Sequence, residues 1–172
     1  TIAGNGTGLT GARVPQNGIV IATDKLNKII EINSNEFYAL IEPAVLLSDF
    51  QKELKQQNLF YPPDPTETNC YIGGTVATNA SGAKTFKYGP TRDYVIGLQV
   101  VLPDGEAIDL ERGKQKAIGY ELSLTTQSGK NISLKIPDYT FPAIKNASGY
   151  FVKKDMDAID LFIGSEGTLC II

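Results

Sequence analysis

The sequence predicts an α+β domain, because segments with strand-like composition outnumber helical segments and do not alternate with them in a regular order. The turn signal Pro103-Asp104-Gly105 lies between residues 95–102 and 106–110 and predicts a hairpin. Ser128-Gly129 predicts a second hairpin within residues 120–136. A doubly wound parallel sheet is disfavoured, since it needs a helix after nearly every strand. The length of 172 residues fits one domain, or one domain in two lobes.

Three strands are predicted near the start of the chain. Residues 19–22 and 29–32 are short β-branched runs separated by polar residues. Residues 38–42 follow the turn signal Asn33-Ser34-Asn35 and form the third predicted strand.

A helix and a rigid loop are predicted next. Ser48 and Gln51 form a capping-box pattern, which predicts a helix over residues 49–57 that stops at Asn58. Residues 61–65 contain three prolines, and each proline lacks the N–H donor that a helix or a central strand requires. This stretch is therefore expected to be a rigid loop.

Small side chains dominate residues 72–89, which would let the backbone approach another group closely. Residues 157–162 predict a short helix near the end of the chain. The segment Gly164-Ser165-Glu166-Gly167 is expected to lead from that helix into a final strand.

Composition and charge exclude several kinds of partner. The net charge is -3 with Lys and Arg scattered along the chain, which gives no basic surface for nucleic acid. No apolar stretch is long enough to span a bilayer and no secretion signal is visible, so we expect no membrane span and a cytoplasmic location. Cys70 and Cys170 are expected to be reduced thiols rather than a disulfide.

A glycine pattern near the start satisfies the dinucleotide fingerprint G-x-G-x-x-G over residues 6–11. In a Rossmann unit these glycines open a helix, but Pro15 and Asn17-Gly18 would interrupt any helix after about one turn. A nicotinamide-binding Rossmann fold is therefore disfavoured. A P-loop is excluded because the chain contains no Gly-Lys-Ser or Gly-Lys-Thr.

Residues 2–8 contain three glycines and one asparagine, the residue types that tolerate left-handed backbone angles. Successive N–H groups in such a loop can turn inward and form an anion nest, for which a diphosphate is a natural guest. The alternative is a tight turn between strands, but a tight turn needs only one or two such residues. The composition therefore favours phosphate binding.

That loop is the first of seven short segments that occur along the chain in a fixed order. They are Ile2-Ala3-Gly4-Asn5-Gly6-Thr7-Gly8, Pro63-Asp64-Pro65, Ile72-Gly73-Gly74, Ala77-Thr78-Asn79-Ala80-Ser81-Gly82, Tyr88-Gly89 with Arg92-Asp93, Lys145-Asn146 with Gly149-Tyr150, and Phe162-Ile163-Gly164-Ser165-Glu166-Gly167-Thr168-Leu169. In this order they resemble the FAD-linked oxidases of the vanillyl-alcohol-oxidase type. The similarity is to the branch that contains D-lactate dehydrogenases, glycolate oxidase flavin subunits and D-2-hydroxyglutarate dehydrogenases.

The resemblance implies a two-lobed, PCMH-type FAD-binding domain over residues 1–172, with a second lobe over roughly residues 95–172, and non-covalent FAD. It assigns the diphosphate to the backbone N–H groups of residues 2–8, with Thr7 adding a hydroxyl donor. The implied FAD contacts are Ile2, Ala3, Gly4, Asn5, Gly6, Thr7 and Gly8 at the diphosphate; Asp64, Pro65, Thr66, Glu67, Thr68, Asn69, Cys70, Gly73, Gly74, Thr78, Asn79, Ala80, Ser81 and Gly82 beside the flavin and ribityl chain; and Glu166, Gly167, Thr168, Leu169, Cys170 and Ile171 at the adenine and ribose end.

The sequence departs from the family pattern at three places. The first loop reads Ile2-Ala3-Gly4-Asn5-Gly6-Thr7 where Pro-Arg-Gly-Gly-Gly-Thr is common, so it lacks an arginine and one glycine. Asn5 can still take the left-handed conformation, so we expect a working loop with weaker binding. Cys170 stands where glycine is usual, and residues 112–142 are an expected inserted hairpin.

For the whole protein, the resemblance implies oxidation of a small D-2-hydroxy acid by hydride transfer to flavin N5. We name no catalytic residue and no metal ligand in this chain, because it has no histidine and the family's substrate domain is expected to lie outside it. We expect the chain to be a fragment cut at both ends. The absence of histidine excludes a histidyl flavin link within this chain, and a cysteinyl link at Cys70 is disfavoured. Arg92 and Asp93 are expected to form a structural ion pair rather than to act in catalysis.

Other functions stay open. The chain could be a non-catalytic flavin-fold binding module, or part of a superfamily enzyme with different chemistry, such as an alkyl-dihydroxyacetone-phosphate synthase or a cell-wall precursor reductase. An iron–sulfur or other electron-acceptor partner is also left open. A downstream domain with His and Arg residues would favour hydroxy-acid oxidation.

Overall fold

The computed structural model describes residues 1–144 and 146–172, and these residues form both helices and strands. Lys145, which is one residue of the family resemblance, lies outside the described residues. The chain divides into two compact units. The first unit comprises Thr1–Val76 and Ala80–Thr91, and the second comprises Ala77–Asn79 and Arg92–Ile172. No helix within the described residues combines the length and apolar composition needed to cross a membrane.

The first unit begins with two small sheets. Strand β1 (Ile2–Ala3) pairs in parallel with β2 (Ile21–Ala22). Strand β3 (Ile29–Asn33) pairs antiparallel with β4 (Tyr38–Ile41), and the two confirm the strands predicted on either side of the turn signal. The Asn33 side chain stabilises that turn, since its Oδ1 accepts the backbone N–H groups of Asn35 at 3.1 Å and Glu36 at 3.0 Å.

Helix α1 (Leu47–Gln56) begins two residues before its predicted start, and the predicted capping box is wrong. Leu46 occupies the N-cap position, and no side chain caps the helix. The first free N–H groups of α1 instead donate to backbone carbonyls that follow residues 61–65, the proline loop. Leu47 donates to Cys70 at 3.0 Å, and Ser48 donates to Thr68 at 3.1 Å. The predicted stop at Asn58 is confirmed by its left-handed φ of 57°.

Residues 72–89, the small-residue segment, contain two helices that their composition did not predict, α2 (Ile72–Ala77) and α3 (Thr85–Tyr88). Gly73 lies in the first turn of α2, where a Cβ would come within 2.5 Å of the Pro43 Cβ. The missing side chain therefore lets α2 pack directly on the residues that follow β4, and this packing outweighs the low helix propensity of glycine.

The second unit contains both predicted hairpins. Strand β5 (Gly97–Val101) pairs antiparallel with β6 (Ala107–Glu111), and β7 (Glu121–Thr125) pairs antiparallel with β8 (Asn131–Lys135). Gly105 has a φ of 87° in the turn between β5 and β6, which explains why glycine is needed there. Strand β7 alternates buried and exposed residues, so one of its faces contributes to the core.

Helix α4 (Ile159–Phe162) confirms the predicted helix near the end of the chain, with its four residues buried. The predicted final strand is reduced to a single bridge between Val101 and Ile171. The backbone N–H of Val101 donates to the Ile171 carbonyl at 2.9 Å, and the reverse bond measures 2.8 Å. Only these two hydrogen bonds join the two residues, so the pairing does not extend into a ladder.

Candidate functional site

The glycine-rich loop at residues 4–8 directly follows β1 and is largely exposed. Gly6 has a φ of +72°, whereas Asn5 does not have a positive φ. Asn5 therefore does not take the left-handed conformation that its residue type allows. Its side chain instead ties the loop down, since Nδ2 donates to the backbone carbonyl of Asn69 at 2.5 Å. This bond joins two of the segments that the sequence assigned to FAD.

The backbone N–H groups of residues 4–8 are free. None of them donates a hydrogen bond to any atom of residues 1–144 and 146–172. Gly8 also has open space on its Cα, because a Cβ built there would meet no atom within 4 Å. An exposed loop with five unused donors is a suitable environment for an anion.

The proline loop and the small-residue segment meet at Gly82. A Cβ on Gly82 would overlap with the backbone carbonyl of Asp64 and lie 2.9 Å from the Pro65 Cα. The Gly82 N–H donates to Thr85 Oγ1 at 2.8 Å, and Lys84 Nζ lies 3.1 Å from Asp64 Oδ2. The space beside Gly82 is thus filled by the protein's own backbone.

Of the two glycines of α2, Gly74 alone has open space on its Cα, because a Cβ there would meet no atom within 4 Å. The Ser81 hydroxyl is buried and has no hydrogen-bond partner among the described residues. An orphaned buried hydroxyl is costly, so a partner from outside the protein would stabilise it. Both features lie in the segments that the sequence predicted to line the flavin and ribityl chain.

The residues before α2 differ in exposure. Thr66, Glu67, Thr68 and Asn69 are exposed, whereas Cys70 is buried. Burial raises the pKa of the Cys70 thiol, which makes it a poor nucleophile at neutral pH. The predicted absence of a disulfide is confirmed, since Cys70 and Cys170 are both free.

In the second unit, Asn79 has a structural role. It is buried with a φ of 46°, and its Oδ1 accepts the backbone N–H of Arg92 at 3.0 Å. Its Cβ also lies close to Gly164, where an added Cβ would be 3.3 Å away. These contacts connect the residues after α2 with the segment after α4.

The Gly164-to-Gly167 turn presents both exposed and buried groups. Glu166 and Gly167 are exposed, and the Glu166 N–H donates to the Ala77 carbonyl at 2.8 Å. The Ser165 hydroxyl is buried without a well-formed hydrogen bond among the described residues. It lies near the Cys170 thiol. Burial raises the pKa of that thiol to about 11, and the Ser165 hydroxyl opposes part of the rise.

Arg92 forms the predicted structural ion pair, but its partner is Asp160 and not Asp93. Arg92 Nη1 lies 3.1 Å from Asp160 Oδ1, and Nη2 donates to the Ile163 carbonyl at 2.6 Å. Arg112 binds the same carboxylate, with Nη2 3.0 Å from Oδ1 and Nη1 3.1 Å from Oδ2. These arginine donors are occupied within the protein, which makes the cluster structural.

The free N–H groups of the exposed loop at residues 4–8 suit the diphosphate of a flavin dinucleotide. The first unit offers free N–H donors at residues 4–8 and open space at Gly8 and Gly74. The Ser81 hydroxyl, in a segment predicted to contact the cofactor, is buried without a partner among the described residues. The diphosphate loop needs no rearrangement to expose its donors.

Comparison with known proteins identifies the family. The chain is 38% identical over 173 residues to D-lactate dehydrogenase of Anaerostipes hadrus, and 34% identical over 171 residues to glycolate oxidase subunit GlcD of Bacillus subtilis (strain 168). These matches cover 100% and 98% of this chain but only 29% of each relative, so the chain spans less than a third of their length. A solved structure of alkyldihydroxyacetonephosphate synthase shares the fold with a TM-score of 0.68 at 22% identity, over 99% of this chain and 27% of that one. The model of a family described as FAD binding domain matches residues 1–111, and the chain belongs to this family of FAD-binding domains.

Proposed function

We propose that this chain is the cofactor-binding part of a FAD-dependent oxidoreductase that oxidises a small 2-hydroxy acid, either a D-acid such as D-lactate or the achiral glycolate. The names of the two relatives with 38% and 34% identity support this substrate class. The synthase shares the fold at 22% identity, which gives no support for its chemistry. FAD, when bound, supplies the acceptor for the hydride that leaves C2 of the hydroxy acid.

The observation that carries the proposal is the set of free N–H donors at residues 4–8. These groups are positioned to bind the two phosphates of FAD without any side-chain charge in the loop. Strand β1 precedes the loop, and the Asn5–Asn69 bond holds its second residue, so the start of the loop is held in place before the cofactor arrives.

Other residues orient the rest of the cofactor in this proposal. In the first unit, Gly74 provides open space and the Ser81 hydroxyl provides an unused donor beside the flavin and ribityl chain. In the second unit, we assign residues 166–171 to the adenine and ribose end. The chain has no histidine, so we assign removal of the substrate's hydroxyl proton to residues outside it.

Anaerobic mixing of the FAD-loaded full-length protein with candidate substrates tests the proposed activity. We expect D-lactate or glycolate to bleach the flavin absorption, because hydride transfer reduces the isoalloxazine ring, while L-lactate leaves it unchanged. The protein without added substrate serves as the control. If FAD binds but no D-2-hydroxy acid reduces it, the hydroxy-acid assignment is wrong and a non-catalytic flavin-fold module becomes the better interpretation.

A further inference from the structure

The side chain of Arg13 folds back over the glycine-rich loop. A turn closed by the Val14 N–H and the Gly11 carbonyl, 2.9 Å apart, contains Arg13 at its third position. Its guanidinium lies against Gly6, where a Cβ would be 2.5 Å from Arg13 Cζ and 2.7 Å from Nε. The left-handed backbone of Gly6 favours glycine there, and the missing side chain leaves the space that this guanidinium occupies.

Arg13 is the one arginine without a hydrogen-bond acceptor in the described part of the chain. The chain contains three arginines, and the other two, Arg92 and Arg112, both bind Asp160. Within residues 1–144 and 146–172, no carboxylate or carbonyl accepts a hydrogen bond from Arg13. A guanidinium that lies against one specific glycine without an acceptor is free to bind an external anion.

We propose that Arg13 is a diphosphate-binding residue, a role that rests on the proposed binding of FAD by this loop. Residues 2–8 carry no charged side chain, so the N–H groups alone would face the two negative charges of the diphosphate. The planar guanidinium presents several donors in a fork that matches phosphate oxygens. Its place beside Gly6 puts it next to the same free donors, and it supplies the positive charge that the loop lacks.

The test compares the affinities of FAD and riboflavin for the full-length apoprotein, measured by the change in flavin fluorescence. We expect Arg13→Gln to weaken FAD binding about tenfold at low ionic strength, because a charge-assisted hydrogen bond is lost. Riboflavin, which has no phosphate, should bind both proteins equally. Arg13→Lys should recover part of the affinity, since it restores the charge without the fork. Added salt should weaken FAD binding more in the wild type than in Arg13→Gln.

Lys52→Gln is the matched control, because Lys52 is an exposed cation on α1 and its loss changes the net charge equally. Three results would overturn the role of Arg13 alone: FAD affinity unchanged in Arg13→Gln, FAD affinity increased in it, or FAD and riboflavin affinities reduced together. A wild-type protein that does not bind FAD would overturn the proposed function, and this inference with it.

Discussion

Replacing Asp160 by asparagine is expected to destabilise the second unit by about 3 kcal/mol. The Asp160 side chain is 12% exposed, and its carboxylate is the shared counter-charge of Arg92 and Arg112. Burial lowers the pKa of the Arg92 guanidinium, and its bond to Asp160 opposes that shift. Without the carboxylate, a guanidinium that is also 12% exposed would stay buried with no ionic partner.

Urea unfolding of the Asp160→Asn protein, followed by far-UV circular dichroism, measures this effect. Asp24→Asn is the matched control, because Asp24 is exposed and should change the stability by less than about 0.5 kcal/mol. Equal stabilities of Asp160→Asn and wild type would show that the carboxylate does not hold the two arginines together.

Gly82→Ala is expected to have a comparable or larger effect, because the new Cβ would overlap with the backbone carbonyl of Asp64. The Asp64 carbonyl oxygen belongs to the main chain and the new Cβ is bonded directly to it, so neither atom can move away as the end of a flexible side chain could. We expect a loss of about 3 kcal/mol or more, together with a low yield of folded protein. The proline loop would have to shift away from the small-residue segment.

Gly74→Ala provides the comparison for Gly82→Ala in the same measurement of yield and unfolding. A Cβ on Gly74 meets no atom within 4 Å, and alanine favours a helix by up to about 1 kcal/mol over glycine. Gly74→Ala should therefore fold as well as the wild type or better. A Gly82→Ala protein with wild-type stability would contradict the close approach of Asp64 and Gly82.

Elements fixed by local chemistry could be predicted from the sequence. The two hairpins followed from turn residues such as Gly105, whose positive φ only glycine adopts without strain. The start of α1 could not be predicted, because the carbonyls of Thr68 and Cys70 that receive its first N–H groups lie about 20 residues away. Helix α2 was missed since its two glycines oppose a helix, and the packing of Gly73 on Pro43 is visible only in the folded chain.

The candidate site shows the same division. The glycine and asparagine content of residues 2–8 predicted an anion-binding loop, and the structure leaves the N–H groups of residues 4–8 free. The side-chain contacts could not be predicted: Asn5 binds Asn69, and Arg92 binds Asp160 rather than its neighbour Asp93. Such partners are separated by 64 and 68 residues, so no local pattern identifies them. Arg13 could have been noticed as the one charged residue among the glycines of residues 4–13.

Retention of FAD by the Gly8→Ala protein tests most directly whether the loop at residues 4–8 holds the diphosphate. Each full-length protein is incubated with FAD and desalted, and its visible absorption spectrum is recorded. Gly97→Ala is the control, because Gly97 lies in β5 and its Cβ would make an ordinary contact 3.7 Å from the Leu110 carbonyl.

We expect the wild type and Gly97→Ala to retain the flavin bands and to release FAD on denaturation, as predicted for a cofactor that is held without a covalent bond. Gly8→Ala should fold normally, because its Cβ meets no protein atom within 4 Å. It should lose most of the bound flavin, because the new methyl group would occupy space that the diphosphate needs beside the loop. A Gly8→Ala protein that retains as much FAD as the wild type would contradict a diphosphate site on this loop.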